Sequence, residues 1–107
     1  KQGRPWSIGK GFDHSAPIGP ITPAAQAGEG GKAGSWLQVN GVDRQRSNVA
    51  QLIWNIAETI EHLSAAWELQ PGDLIYTGTP EGVGAVVTGD VLEGGVDGLG
   101  SIRLKLV

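Results

Sequence analysis

Cysteine is absent from the 107 residues, which excludes disulfides, thiolate metal sites and a cysteine nucleophile, and fits a reducing cytosol. Methionine is absent as well. The sequence therefore opens on Lys1 without an initiator, and residues 1–5 read as a loop joined to a preceding portion of a longer product. Long apolar runs are missing, since nothing approaches the ~20 residues of a membrane-spanning helix. Positive charge is scarce: eight Lys and Arg face eleven Asp and Glu, for a formal charge of −3. No basic cluster is interleaved with aromatics, which argues against a nucleic-acid surface. An anionic ligand would be held locally, by one or two side chains and by backbone dipoles. The expected protein is cytoplasmic, with neither a membrane nor a nucleic acid as partner.

The carboxylates are dispersed, and no Glu-x-Glu pair or Asp/Glu/His cluster has the spacing to hold a divalent cation, so no metal ligand is assigned within these residues. Neither histidine belongs to a ligand pair. His14 follows Asp13 in a loop, and His62 lies four residues after Glu58 on what reads as the polar face of a helix, where it is expected to pair with that glutamate. Gly3 to Lys10 superficially resembles a phosphate-binding loop, but its spacing is wrong and Gly11 stands where a magnesium-binding Ser or Thr belongs. Gly82-Val83-Gly84 and Gly98-Leu99-Gly100 lack the third glycine and the helix of a dinucleotide site.

What the sequence does contain is one domain's worth of chain, expected to bury roughly 65% of the surface its unfolded form exposes. Residues 1–23 are rich in Gly and Pro, with Ile8, Phe12, Ile18 and Ile21 as isolated apolar anchors. Residues 24–34 read as an exposed connection with a flexible tip at Gly28-Glu29-Gly30-Gly31. A strand at 35–39, the turn Asn40-Gly41 and a return strand at 42–45 form a hairpin of the type that takes two positive φ angles. Ser47 or Asn48 can cap a helix over about 48–67, whose Val49, Leu52, Ile53, Ile56, Ile60 and Leu63 recur at steps of three and four. Short strands follow at 74–76, 85–87, 91–93 and 102–107, separated by glycine-rich turns at 88–90 and 94–100. The fold class is α+β, mainly β, with mixed or antiparallel sheet and one main helix.

The segment Thr77-Gly78-Thr79-Pro80-Glu81-Gly82-Val83-Gly84 carries the most chemistry. A β-branched and aromatic stretch, Leu74-Ile75-Tyr76, runs into a turn whose small residues leave hydroxyls and N–H groups uncovered for a small anion. Any tight hairpin uses similar turns, so the segment by itself leaves an ordinary turn open.

The opening stretch from Gly3-Arg4-Pro5-Trp6 through Ser7-Ile8-Gly9-Lys10-Gly11-Phe12-Asp13-His14 to Ser15-Ala16-Pro17-Ile18-Gly19-Pro20 resembles the fumarylacetoacetate hydrolase family, nearest its bacterial fumarylpyruvate and acylpyruvate hydrolases. Val39-Asn40-Gly41 with Arg44-Gln45, residues 69–73 and residues 77–84 agree with that pattern in order and spacing. The resemblance makes residues 1–107 the C-terminal part of the catalytic domain. The Glu-x-Glu…Asp ligands of a Mg2+ or Mn2+ ion, and the water-activating His and Glu of a lid, would then precede Lys1. It implies a homodimer, a small anionic 2-oxo acid as substrate, and hydrolysis of a C–C bond in a 2,4-dioxo acid, with oxaloacetate decarboxylase or oxo-acid isomerase as alternatives and a non-catalytic truncated domain as the reading from another class. It also implies that Lys10 is catalytic and binds substrate, and that Thr79 and Gly78 bind the substrate carboxylate. Arg46-Ser47-Asn48-Val49 stands where related hydrolases carry Gly-Asn-Thr, which puts a contact from that threonine in doubt.

Overall fold

In a computed structural model, which describes residues 2–28 and 30–107, the frame is one four-stranded antiparallel sheet. Lys1 and Glu29, the latter part of the expected flexible tip, lie outside the described residues. The strands are β1 (Gly34–Val39), β2 (Val42–Asn48), β3 (Val91–Val96) and β4 (Ser101–Lys105), in the order β2-β1-β3-β4. The sheet has the expected class, mainly β with few helices, and among the described residues every pairing is antiparallel.

The β1–β2 hairpin forms where its turn chemistry requires. Val39 pairs with Val42 across a two-residue loop, and Asn40 and Gly41 take φ of 52° and 78°. Asn40 also fastens this turn to β3. Its N–H donates to the Val91 carbonyl at 2.8 Å, its side-chain oxygen accepts from Val91 N–H at 2.9 Å, and its amide donates to Asp90 at 2.9 Å. Further along the hairpin the register slips: Leu37 faces Gln45 but Gln38 faces Asp43, leaving Arg44 as the extra residue of a β-bulge.

The helix expected over 48–67 is shorter and starts later. Asn48 stays in the sheet opposite Gly34 and caps only a 3-10 turn, Val49–Gln51, after which Leu52 is extended at φ −59°, ψ 136°. A second cap, Asn55, then starts α3 (Ile56–Ala66), the first two α-helices being single turns at Ser7–Lys10 (α1) and Ala24–Ala27 (α2). Asn55 accepts from Glu58 N–H at 2.9 Å while the Glu58 carboxylate accepts from Asn55 N–H at 2.8 Å. The apolar spacing runs through both cap signals, so periodicity alone merged two elements into one. With its carboxylate taken by the cap, Glu58 does not pair with His62; that ring instead stacks on Trp54, centroids 4.1 Å apart.

Residues 74–76 and 85–87, expected as strands, join no ladder among the described residues, since strand composition alone does not supply a pairing edge. Gly94 and Gly95, expected in a turn, belong to β3, and the turn falls at 97–100. β4 ends at Lys105, short of the expected Val107.

Burial departs most from expectation. Val39 is the one buried hydrophobic among the described residues, and α3 buries none of its side chains. The accessible surface is 8965 Å², against about 5,700 Å² for a self-contained globule of this mass.

Candidate functional site

An open cleft of about 1660 Å³ lies against the sheet, with Trp36, Leu37 and Gln45 from the hairpin, Leu63 from α3, and residues 77–80 along its lining. It is largely apolar, and the hydroxyl-bearing corner Thr77-Gly78-Thr79-Pro80 supplies polar groups at its edge. Much of this hollow is apolar face left uncovered, Ile56 and Trp67 among it, and the candidate ligand contact is the polar corner itself.

The corner is held by β2. The Gln45 side-chain amide nitrogen donates to the Thr79 hydroxyl oxygen at 2.9 Å and to the Pro80 carbonyl at 3.1 Å, and the same hydroxyl lies 3.2 Å from the Gln45 side-chain Oε1, to which it could donate instead. Two residues further on, Gly82 at φ 98° abuts the Arg44 carbonyl. The bulge at Arg44 thus turns one carbonyl toward Gly82 and the next side chain toward Thr79. Bulges beside sites commonly re-aim a side chain in this manner. At the corner's other end the Tyr76 hydroxyl donates to the Ala16 carbonyl at 3.2 Å, tying residues 74–80 to the opening loop.

Of the residues expected to bind substrate, Gly78 and Thr79 line the cleft. Lys10 does not. It ends α1, exposed, with its ammonium 5.5 Å from the centroid of the Trp6 ring, and no hydrogen bond among the described residues joins it to Thr79. The connection between the two is indirect, through the opening loop and Tyr76. His14 sits at φ 61° in a turn closed by Ser15 N–H donating to the Phe12 carbonyl at 3.0 Å, a loop role. Among the described residues no group of three His, Asp or Glu converges to hold a metal ion.

Gln45 was legible only as one letter of a matching segment. A glutamine on a return strand has no periodic signature, and its role depends on the bulge, which leaves no mark in composition. Asp43, on the same strand, is held below the usual carboxylate range first by the Arg46 guanidinium, 2.8 Å away, and next by the Gln38 amide at 2.7 Å.

The model of the fumarylacetoacetate (FAA) hydrolase C-terminal family matches residues 1–107. The chain belongs to the fumarylacetoacetate hydrolase family. Within that family, a fumarylpyruvate hydrolase of Ralstonia sp is 50% identical over 107 residues, covering 98% of this chain and 54% of its own length. The mitochondrial oxaloacetate tautomerase FAHD1 of Rattus norvegicus is 40% identical, covering 99% and 48%. The crystal structure of fumarylpyruvate hydrolase from Pseudomonas aeruginosa in complex with Mn2+ and pyruvate superposes with a TM-score of 0.93 at 58% identity, over 98% of this chain and 45% of that one. The chain thus spans about half the length of these family members, and its antiparallel sheet with few helices is the fold of their C-terminal domain.

Proposed function

We propose that residues 1–107 are the C-terminal half of a catalytic domain that hydrolyses a C–C bond in a 2,4-dioxo acid of the fumarylpyruvate or acylpyruvate class, releasing pyruvate during aromatic-compound breakdown. The observation that carries this reading is the 58% identity and 0.93 TM-score, over nearly the whole chain, to a fumarylpyruvate hydrolase crystallised with Mn2+ and pyruvate. A divalent cation, Mn2+ or Mg2+, belongs to the proposal. The described residues do not fit one, so its ligands are assigned to the other half of the domain.

The chemistry left to this chain is recognition of an anion and stabilisation of developing charge. Thr79, on the rim of the cleft, offers a hydroxyl and a backbone N–H to the substrate carboxylate. Water adds to the distal carbonyl carbon, the adjacent C–C bond breaks, and its electron pair passes into the 2-oxo acid fragment, which leaves as the enolate of pyruvate and takes up a proton. Lys10 bonds the carboxylate or the enolate oxygen, where a charge-assisted bond strengthens as negative charge grows. The lysine is exposed, and the Tyr76–Ala16 bond ties the opening segment that follows it to residues 74–80, which supports this role.

Oxaloacetate tautomerisation is the second reading, favoured by the 40% identity to FAHD1. It also passes through an enolate, so Lys10 and Thr79 serve either reaction. Kinship with this family extends the proposal to a cytoplasmic homodimer; among the described residues no helix is long and apolar enough to cross a membrane.

The test uses the longer protein containing this chain, loaded with Mn2+. Release of pyruvate from fumarylpyruvate supports the hydrolase. Failure to cleave any acylpyruvate, with accelerated keto–enol exchange of oxaloacetate, would replace it by the tautomerase. The 107-residue chain alone is expected to be inactive.

A further inference from the structure

Thr79 can meet an anion in two ways, and only one is useful. Its hydroxyl has one proton; if that proton is donated inside the protein, the face left for a carboxylate is a lone pair, which repels it. Gln45 decides which face is presented. Its amide oxygen and nitrogen both lie within reach of the Thr79 hydroxyl, at 3.2 Å and 2.9 Å, so these two contacts do not fix the direction of the bond. The Pro80 carbonyl orients the amide, and in that orientation the shorter of the two contacts is the donation from the NH2 to the Thr79 oxygen. That carbonyl is an acceptor and nothing else, it sits 3.1 Å from the Gln45 amide nitrogen, and it holds the NH2 on the side of the corner.

We infer that Gln45 is a positioning residue: anchored on the Pro80 carbonyl, its amide nitrogen donates to the Thr79 oxygen and thereby leaves the Thr79 hydroxyl proton free to donate to a ligand carboxylate. One NH2 group supplies both bonds, one hydrogen to each oxygen. The bulge at Arg44 brings the side chain to this place, and half-burial of Gln45 and Pro80 shields the Gln45–Pro80 bond from water. The inference rests on the proposed role of Thr79, and the two can fail separately.

The longer Mn2+-loaded protein is titrated with pyruvate by calorimetry, and KM and kcat are measured with fumarylpyruvate. Gln45→Glu replaces the NH2 by a second acceptor, so the Thr79 proton turns inward; pyruvate Kd and KM are expected to rise at least tenfold, with kcat changed less than threefold, the pattern of lost uniform binding. Gln45→Met, of similar length but unable to bond, leaves the hydroxyl free to rotate, and Kd is expected to rise only about threefold. Loss of packing alone would make Met as harmful as Glu or worse, and that order would overturn the inference. In a Thr79→Val background both Gln45 substitutions are expected to lose their effect on Kd; an undiminished effect there means that Gln45 acts through its own charge or shape and overturns the inference while leaving Thr79 as a ligand contact. Should Gln45→Glu not fold, the Gln45→Met and Thr79→Val cycle decides alone. Thr79→Val with unchanged pyruvate Kd overturns the reading of Thr79 itself, and Gln45 with it.

Discussion

Gly82 lies flush against Arg44: a Cβ built on Gly82 would overlap the Arg44 carbonyl oxygen and come within 3.2 Å of the Gln45 side chain. The bulged residue of one strand is thus docked on the turn that carries the candidate anion corner. Gly82→Ala is expected to cost more than Gly78→Ala, although both residues hold φ near 95°, at 98° and 94°. At Gly78 a Cβ meets open space, leaving only the conformational penalty of about 1–2 kcal/mol. At Gly82 the backbone overlap adds to it, and the Gln45–Thr79 bond moves with the corner. Thermal unfolding of the two variants in the longer protein checks the order, and equal losses would contradict the docking.

The parts of this architecture that were legible from sequence are those fixed by local chemistry. Asn40-Gly41 announced the hairpin because only certain residues accept two positive φ angles, and the small residues of 77–80 announced an accessible corner. Elements that depend on a distant partner were misread. Residues 74–76 have strand composition but join no ladder among the described residues. Asn48 has the chemistry of a helix cap, yet its pairing with Gly34 keeps it in the sheet and hands the helix to Asn55. Gln45 is the same lesson at the site: its importance comes from a bulge and from a turn 35 residues away in sequence.

Lys10 presents its charge over an aromatic ring and in solvent, so it is free to reach a ligand. Lys10→Ala is expected to lower kcat/KM for fumarylpyruvate by about 10²–10³, the range found when one donor to a developing oxyanion is removed. Lys10→Arg should recover part of it. Trp6→Leu removes only the ring beneath the ammonium, a contact worth about 0.5–1 kcal/mol at an exposed position, and should cost no more than severalfold. Steady-state kinetics on the three variants check this; unchanged turnover in Lys10→Ala would remove it from the mechanism.

Asp90 joins the two ends of the sheet's turn region, accepting from Val87 N–H at 2.9 Å and from Asn40 at 2.9 Å. These bonds, Val87 first and then Asn40, hold its carboxyl below the ordinary value of 3.8. A depressed folded-state value means that the stabilisation is complete above about pH 4 and is lost as the pH falls through the lower, folded value. Asp43 adds to the same trend through Arg46 and Gln38. Denaturant unfolding between pH 2 and 5 should show stability falling with acid, and Asp90→Asn should flatten that slope while lowering stability at neutral pH. An unchanged slope would mean that Asp90 does not report on folding.

The exposed apolar surface makes a prediction about the 107 residues by themselves. Their surface of 8965 Å² exceeds the expected ~5,700 Å² by more than half, and Ile53, Trp54, Ile56 and Trp67 are each at least 52% exposed along and beside α3. At ~25 cal/mol per Å², leaving such an area in water removes much of the drive that offsets chain entropy, and α3, with no buried residue, is held by little beyond its capping box and the Trp54–His62 stack. The isolated chain is expected to bind a hydrophobic dye strongly, to associate at micromolar concentration, and to show hydrogen-exchange protection in β1 and β3 but little in α3. In the longer protein the same amides of α3 should become protected, because the face carrying Ile56, Ile60 and Leu63 is then covered. Protection of α3 in the isolated chain at the level of β1 would show that the sheet and helix already form a complete core, against the burial found here.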